Sequence, residues 1–218
     1  EDPVEYEIPG VNQVQINTAV GLTFASGLRA FLRQDPNIIL VGEIRDKETT
    51  DLAIQAALTG HLVFSTLHTS NAAGALPRLG DLGAEPFLLA ATINAIAAQR
   101  IVRRICQSCK SDFVPPEALV SEIKNVLGNL LSASDEIKLY KGKGCDKCEK
   151  LGYIGRIGIY EVMPTSEKIS HLMITQSDNT TIEKQAIADG MITLKQDGYL
   201  KVIRGETTIE EVLRVAQE

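Results

Sequence analysis

The sequence predicts an α/β protein, a parallel sheet with flanking helices, that also carries a small cysteine-clamped insert and a helical tail. Three observations carry this. Two aliphatic runs, Ile38 to Val41 and Leu62 to Leu67, enclose one helical stretch, and strand, helix, strand with short connections marks a parallel sheet with helices packed over it. Four cysteines stand in two C-x2-C pairs, Cys106 with Cys109 and Cys145 with Cys148. From Ser166 onward the pattern is helical, with Thr180 and Thr207 each three residues before an acid, Glu183 and Glu210, as two candidate capping boxes.

In chain order, Val14 and Ile16 alternate with Gln13, Gln15 and Asn17, which reads as a half-buried strand. Phe24, Leu28, Phe31 and Leu32 form one helical stripe, and Asp35-Pro36 ends it because the residue before proline is pushed out of the helical region. Arg29 and Arg33 then share the opposite, solvent-facing side. Surface arginines there are ordinarily solvated, although their rigid forks also suit phosphate or a neighbouring subunit's carboxylates. Ile38 to Val41, followed by Gly42, reads as a strand buried on both faces. Residues 47 to 59 read as a helix stopped by Gly60, and Thr92 to Ile105 as a helix with Ile93, Ile96, Ala97 and Ile101 in register. Between the cysteine pairs, after Pro115-Pro116, lies an amphipathic segment bearing Leu119, Ile123, Val126, Leu127 and Leu130. LGYIGRIGIYEVM, residues 151 to 163, is glycine-punctuated and β-rich, a strand returning to the main body. The organisation expected is a core over 1–104, a cysteine subdomain over 105–150, and a returning strand with helices over 151–218.

Composition sets limits on partners. A chain of 218 residues with formal charge −6 argues against broad electrostatic binding to nucleic acid or anionic lipid. No apolar run approaches the roughly eighteen residues that a membrane span requires, so no direct membrane insertion is expected.

The cysteine spacing, with thirty-five residues between the pairs, is close to a zinc ribbon or knuckle. Two residues between cysteines let both thiolates face one ion, and two such turns complete a tetrahedron. Arg104, Lys110, Lys147 and Lys150 stand nearby to offset the thiolate charge. The alternative is two disulfides, which requires an oxidising compartment. A closed four-thiolate site leaves no position for substrate, so the Zn2+ would be structural.

NIILVGEIRD, residues 37 to 46, places an acid at the end of a buried strand. Nucleoside triphosphatases use that arrangement to set a carboxylate beside magnesium and the attacking water. Ligands of a parallel sheet bind beyond the carboxyl ends of its strands, so Glu43 after one strand and His68 after the next emerge at one edge. His61 opens the second strand at its far end, where a lone histidine is more often structural.

EDPVEY, GLTFASGLRAFLRQDPNIILVGEIRD, GHLVFSTLHT and the paired CQSC and CDKC together resemble the secretion and pilus-assembly ATPases of the type II secretion and type IV pilus systems, across essentially the whole chain. The resemblance implies a RecA-like P-loop core that uses ATP and Mg2+ and works as a homo-hexamer. It implies a cytoplasmic protein, peripheral at the bacterial inner membrane, with an inner-membrane platform and cytoplasmic recruiting proteins as partners. Carried over, Glu1, Asp2 and Glu5 fall in the Asp box, Glu43 is the Walker B acid, and His61 and His68 belong to the His box. Arg29, Arg33 and Arg45 match arginines that sense phosphates or bridge subunits of the ring. Retraction ATPases of the same kind lack the four cysteines, so these favour the assembly and secretion branch.

A phosphate-binding loop reads G-x-x-x-x-G-K-[ST]. The one Gly-Lys here is Gly142-Lys143, followed by Gly144, so the loop is expected upstream of Glu1. On that expectation the chain is part of a longer ATPase, binds ATP weakly and turns none over alone, and exposes apolar surface where central elements of the sheet are missing. A non-enzymatic zinc module that docks a partner through its insert and tail is the competing reading. A RecA-like recombinase or helicase needs a nucleic-acid surface that the acidic composition disfavours.

Overall fold

The computed structural model describes residues 1–131 and 137–216, and among them forms two compact units. The first comprises Glu1–Ile96 and Pro164–Asp189, and the second Ala97–Met163 with the described residues from Gly190 onward. No helix of the described residues is long and apolar enough to cross a membrane.

In the first unit, α1 (Phe24–Leu32), β1 (Ile38–Val41), α2 (Lys47–Leu58) and β2 (Leu62–Ser65) follow one another, then α3 (Ala75–Asp81) and α4 (Pro86–Thr92). Thr23 caps α1 in a reciprocal box with Ser26, and the Asp46 carboxylate accepts the Thr49 amide to start α2. β1 and β2 are parallel, in a register that sets Ile38 opposite Leu62 and Leu40 opposite Phe64. Ile39 and Val41 point into a core with Ala25, Leu28, Leu52, Ala53 and Ala56 of the two helices. The other face is bare: Ile38 is 62% exposed, Leu40 56%, Leu62 44% and Phe64 52%. The aliphatic run of β1 therefore lies buried on one face only. Such a run needs cover on both sides, and the helices of the described residues supply one. From the returning part of the chain, α6 (Glu167–Ile174) and α7 (Asn179–Ala188) complete the unit, with α6 packed on α4.

The second unit holds β3 (Ala95–Ile105) paired with β6 (Tyr153–Pro164), both of which start or end at the unit boundary. β4 (Lys110–Phe113) pairs antiparallel with β5 (Leu139–Gly142), and α5 (Glu117–Leu127), α8 (Leu194–Ile203) and α9 (Ile209–Val215) cover a core of Ile123, Leu127, Leu139, Tyr199, Val202 and Val212. The Tyr199 hydroxyl inside it donates to Glu122 at 2.6 Å, and Gln196 reaches the Val126 carbonyl at 3.1 Å.

Three local expectations are corrected. The helix over Thr92 to Ile105 is instead the end of α4 and then strand β3. Its buried residues Ala98, Val102 and Ile105 are spaced as on a helix face, yet inward positions alternate from Ile96 to Val102 because the β-branched chain pairs with β6. Residues 13 to 16 form no strand. Their backbone bonds among the described residues go to Glu1, whose ammonium donates to the Val14 carbonyl and whose carbonyl accepts the Ile16 amide, too short for a ladder. The two capping boxes also differ. Asp178, two residues before Thr180, accepts the Thr181 amide as the cap of α7. Thr207 is fully buried with its hydroxyl on the Arg103 carbonyl, so Thr208 takes the cap position of α9.

Beside Thr207 lies a buried carboxylate. Glu211, 2% exposed, accepts the Arg103 amide at 2.8 Å, the Arg103 guanidinium at 2.7 Å and Arg214 at 2.9 Å, while Arg103 stacks on Tyr153 at 4.3 Å. Burial pushes this carboxyl up, but the hydrogen bonds from Arg103 and Arg214 outweigh it and hold it at about 2. A depressed carboxyl contributes stability that is complete above its unfolded value, about 4.3, and is lost as pH falls through the folded one. Glu211→Gln is expected to destabilise the protein by about 2 kcal/mol at pH 7. In urea unfolding followed by circular dichroism, that gap between variant and wild type should close between pH about 4.5 and about 2; a gap constant across this window would contradict the assignment.

Candidate functional site

The β1 strand stops at Val41, and because Asp46 caps α2, residues 42 to 45 must turn at the carboxyl edge of the parallel pair. That turn presents Glu43. Its side chain is 12% exposed, and its Oε2 takes Arg45 Nε at 2.6 Å and His68 Nε2 at 3.1 Å, leaving Oε1 outside both bonds. The Arg45 hydrogen bond, with help from His68, holds the carboxyl below the usual range against the opposing effect of burial. An ionised carboxylate only accepts, so His68 Nε2 carries the proton in this contact. The parallel register thus brings the ends of two strands together.

Glu1 lies at the same edge. A Cβ on Gly42 would stand 3.2 Å from the Glu1 Cα, so the close approach of the two backbones favours glycine there. The Glu1 carboxylate accepts from Gln13 at 3.0 Å, and Asp2 adds an electrostatic pull on Arg45. Glu5 is exposed. The remaining predicted residues sit elsewhere. His61 is at the opposite end of β2 from His68, with Nδ1 2.9 Å from the Ala56 carbonyl and 3.1 Å from the Thr59 hydroxyl at the end of α2. Arg29 pairs with Glu48 at 2.5 Å on the outer side of α1 and α2, and Arg33 is exposed.

The second cluster is the four cysteines, whose sulfurs all lie within 4.8 Å of one another. Cys106 and Cys145 Sγ are 3.9 Å apart, Cys109 and Cys148 3.8 Å, and Cys145 and Cys148 3.7 Å. A disulfide needs about 2.05 Å, and all four cysteines are free. Sulfurs at about 2.3 Å around a tetrahedral zinc stand about 3.8 Å apart, so the thiols present fit such an ion. Amides of Cys145 and Gly152 donate to Cys148 Sγ at 3.1 and 3.3 Å and draw that thiol down to about 6, whereas burial pushes Cys109 up to about 11. The second knuckle closes because Gly142 and Gly152 meet face to face; a Cβ on Gly142 would lie 2.1 Å from the Gly152 carbonyl oxygen. The neighbouring cations do not all serve the sulfurs: Lys150 pairs with Asp146 at 2.6 Å, and Lys110 lies 4.2 Å over the Tyr140 ring.

Of two further contacts at the edge, Arg45 was expected against phosphates or a neighbouring subunit rather than against Glu43, and Thr66 was not expected at all. Arg45 contacts Glu43 directly, for which the i, i+2 pair of opposite charges at a strand end was the available signal. Thr66 donates from Oγ1 to the Gly42 carbonyl at 2.6 Å, and a threonine in a strand carries no such signal by itself.

The family model described as "Type II/IV secretion system protein" matches residues 1–214. Among curated relatives, the chain is 50% identical over 214 residues to the type IV pilus assembly ATPase PilB of Thermus thermophilus, covering 98% of this chain and 24% of that protein. It is 44% identical over 218 residues to the type II secretion system protein E of Aeromonas hydrophila, covering 100% of this chain and 42% of that protein. The chain therefore spans less than half the length of these relatives. Among solved structures, the pilus retraction motor PilT with bound ADP superposes with a TM-score of 0.67 at 26% identity, over 100% of this chain and 51% of that one.

Because Arg45 contributes most to the depressed Glu43 carboxyl, Arg45→Ala should raise its titration midpoint, and His68→Ala should raise it less. Side-chain 13C NMR of the 218-residue protein reads both midpoints; an Arg45→Ala midpoint identical to wild type would refute the geometry.

Proposed function

The chain belongs to the type II/IV secretion system protein family, and from that membership we propose that it is the carboxyl-terminal part of an ATPase core that powers type II secretion or type IV pilus assembly. The observation that supports this reading most is the strand-edge cluster, in which Glu43 is held ionised between Arg45 and His68 with Oε1 outside both contacts. An acid so placed suits the water-activating or magnesium-positioning role in phosphoryl transfer.

In this reading Glu43 orients the attacking water, His68 holds the carboxylate by its Nε2 proton, and Glu1, Asp2 and Glu5 add negative potential at the metal side of the edge. Arg45, Arg29 and Arg33 offset charge on the phosphates or reach a neighbouring subunit, and His61 supports the site from the far end of its strand. Mg2+ bound with ATP would neutralise charge on the transferred phosphoryl group. The phosphate-binding loop belongs to a portion of the protein outside these residues, as the greater length of the relatives allows. The complete protein works as a RecA-like hexamer at the cytoplasmic side of an inner membrane, against a platform and recruiting proteins. The bare face of Ile38, Leu40, Leu62 and Phe64 is where more of that core packs, since a surface of adjacent large apolar side chains favours burial. The four thiolates hold one structural Zn2+, with all four positions filled by protein. The three-part organisation, core over 1–104, zinc subdomain over 105–150 and returning strand with helices over 151–218, is kept in this reading.

Two outcomes test it. In the complete protein, Glu43→Gln should lower ATP turnover by about a hundredfold or more while zinc content and the circular dichroism spectrum stay those of wild type; wild-type turnover would remove Glu43 from the mechanism. Native mass spectrometry of the 218-residue protein should show one Zn2+ per chain, and Cys148→Ser should lose the ion and lower the melting temperature. Two disulfides and no ion would defeat the zinc assignment.

A further inference from the structure

A catalytic carboxylate must be aimed, and the two groups that grip the Glu43 side chain are poorly anchored themselves. Arg45 is 60% exposed at its side chain and His68 84%, so neither is locked by packing. The main chain on each side of Glu43 is held better. Thr66 donates its hydroxyl to the Gly42 carbonyl at 2.6 Å, and the Thr66 carbonyl accepts the Ile44 amide at 3.1 Å. One residue of the second strand end thus grips both neighbours of Glu43. Two residues further on, His68 reaches the carboxylate itself.

We infer that Thr66 is a positioning residue for Glu43: its hydroxyl fixes the Gly42 carbonyl and so sets the direction in which the carboxylate leaves the strand edge. The inference rests on the reading of Glu43 as the acid of phosphoryl transfer. The backbone bond from Ile44 would form with any residue at position 66, since it continues the parallel ladder of β1 and β2. The bond to Gly42 requires a hydroxyl. Thr66 is exposed, caps no helix and fills no core, so packing gives no separate reason for threonine there. A peptide held at one end pivots about that end, and Glu43 sits between the two anchors. Loss of the Gly42 anchor frees rotation of the 42–43 peptide, which swings the carboxylate away from His68. Displacements of about 1 Å at a reacting group are enough to lower a rate up to about a hundredfold.

Valine is nearly isosteric with threonine and equally stiff at χ1, so Thr66→Val removes the hydroxyl and little else, and Thr66→Ser restores it. In the 218-residue protein, 15N relaxation should give Glu43 and Ile44 amide order parameters near about 0.85 in the wild type and in Thr66→Ser, falling towards about 0.6 in Thr66→Val. In the complete protein, Thr66→Val should lower kcat about tenfold with the KM for ATP and the melting temperature unchanged, and Thr66→Ser should recover most of it. Wild-type amide order in the valine variant overturns the positioning role whatever the turnover, as does a serine variant impaired as much as the valine one. If the complete wild-type protein hydrolyses no ATP, the reading of Glu43 fails instead, and the relaxation comparison still decides the role of Thr66.

Discussion

The parallel pairing of β1 with β2 is the constraint on which the candidate site depends. Because both strands run the same way, their carboxyl ends finish at one edge, and the pairing of Ile38 with Leu62 puts Val41 level with Ser65. The groups of the candidate site then follow within four residues of each end: Glu43 and Arg45 after one, Thr66 and His68 after the other. An antiparallel pair would separate these groups by the length of a strand. A register slip of one residue would turn the apolar residues of β2 to the other side of the sheet, and would break the ladder bond from Ile44 to Thr66.

The same pairing explains why the sheet has two unlike faces. Alternation sends Ile39 and Val41 into the helices and Ile38 and Leu40 out, and register aligns Leu62 and Phe64 with the latter. Cover over both faces of an aliphatic strand such as IILV is favourable, since exposure of a large apolar side chain forgoes about 1.5 to 3 kcal/mol of burial. The apolar face and the acidic edge are consequences of one local arrangement. An element that covers the first along its length will also border the second, because they share the strands that end at Val41 and Ser65.

Much of this was legible in the sequence, and the failures share a cause. The parallel pair, both acid-bearing and histidine-bearing strand ends, and the cysteine clamp depend on residues near one another in sequence or on a fixed spacing. β3 was misread as a helix because Ile93, Ile96, Ala97 and Ile101 fall at helical spacing, while the true signal was its distant partner β6. Burial of β1 on both faces was misread because composition records how apolar a strand is but not how much of its cover a given stretch of chain contains. Thr180 and Thr207 matched a motif of spacing, yet Asp178 offered a better acceptor earlier, and Thr207 was drawn inward by the Arg103 carbonyl. Thr66 went unnoticed, and the contact of Arg45 with Glu43 was not foreseen, for the complementary reason: these contacts are set by the strand-edge turn, which sequence spacing does not encode.

The two clusters show how differently a protein can hold reactive groups in place. The cysteines are held by a rigid frame in which Gly142 and Gly152 touch and two amides point at one sulfur, so the thiols stand at ion-binding separations already. Glu43 is held by exposed side chains whose bonds compete with water. A buried frame loses little when its ligand binds, because the ordering has been done by folding. An acid gripped through Oε2 by exposed side chains can release Arg45 or His68 at small cost, and so can exchange a protein partner for a phosphate or metal-bound water. Rigidity belongs where an ion is to stay, and exchangeable contacts belong where a substrate must come and go; the acid keeps its aim through that exchange only if its main chain is anchored, and the anchors at Gly42 and Ile44 both come from Thr66.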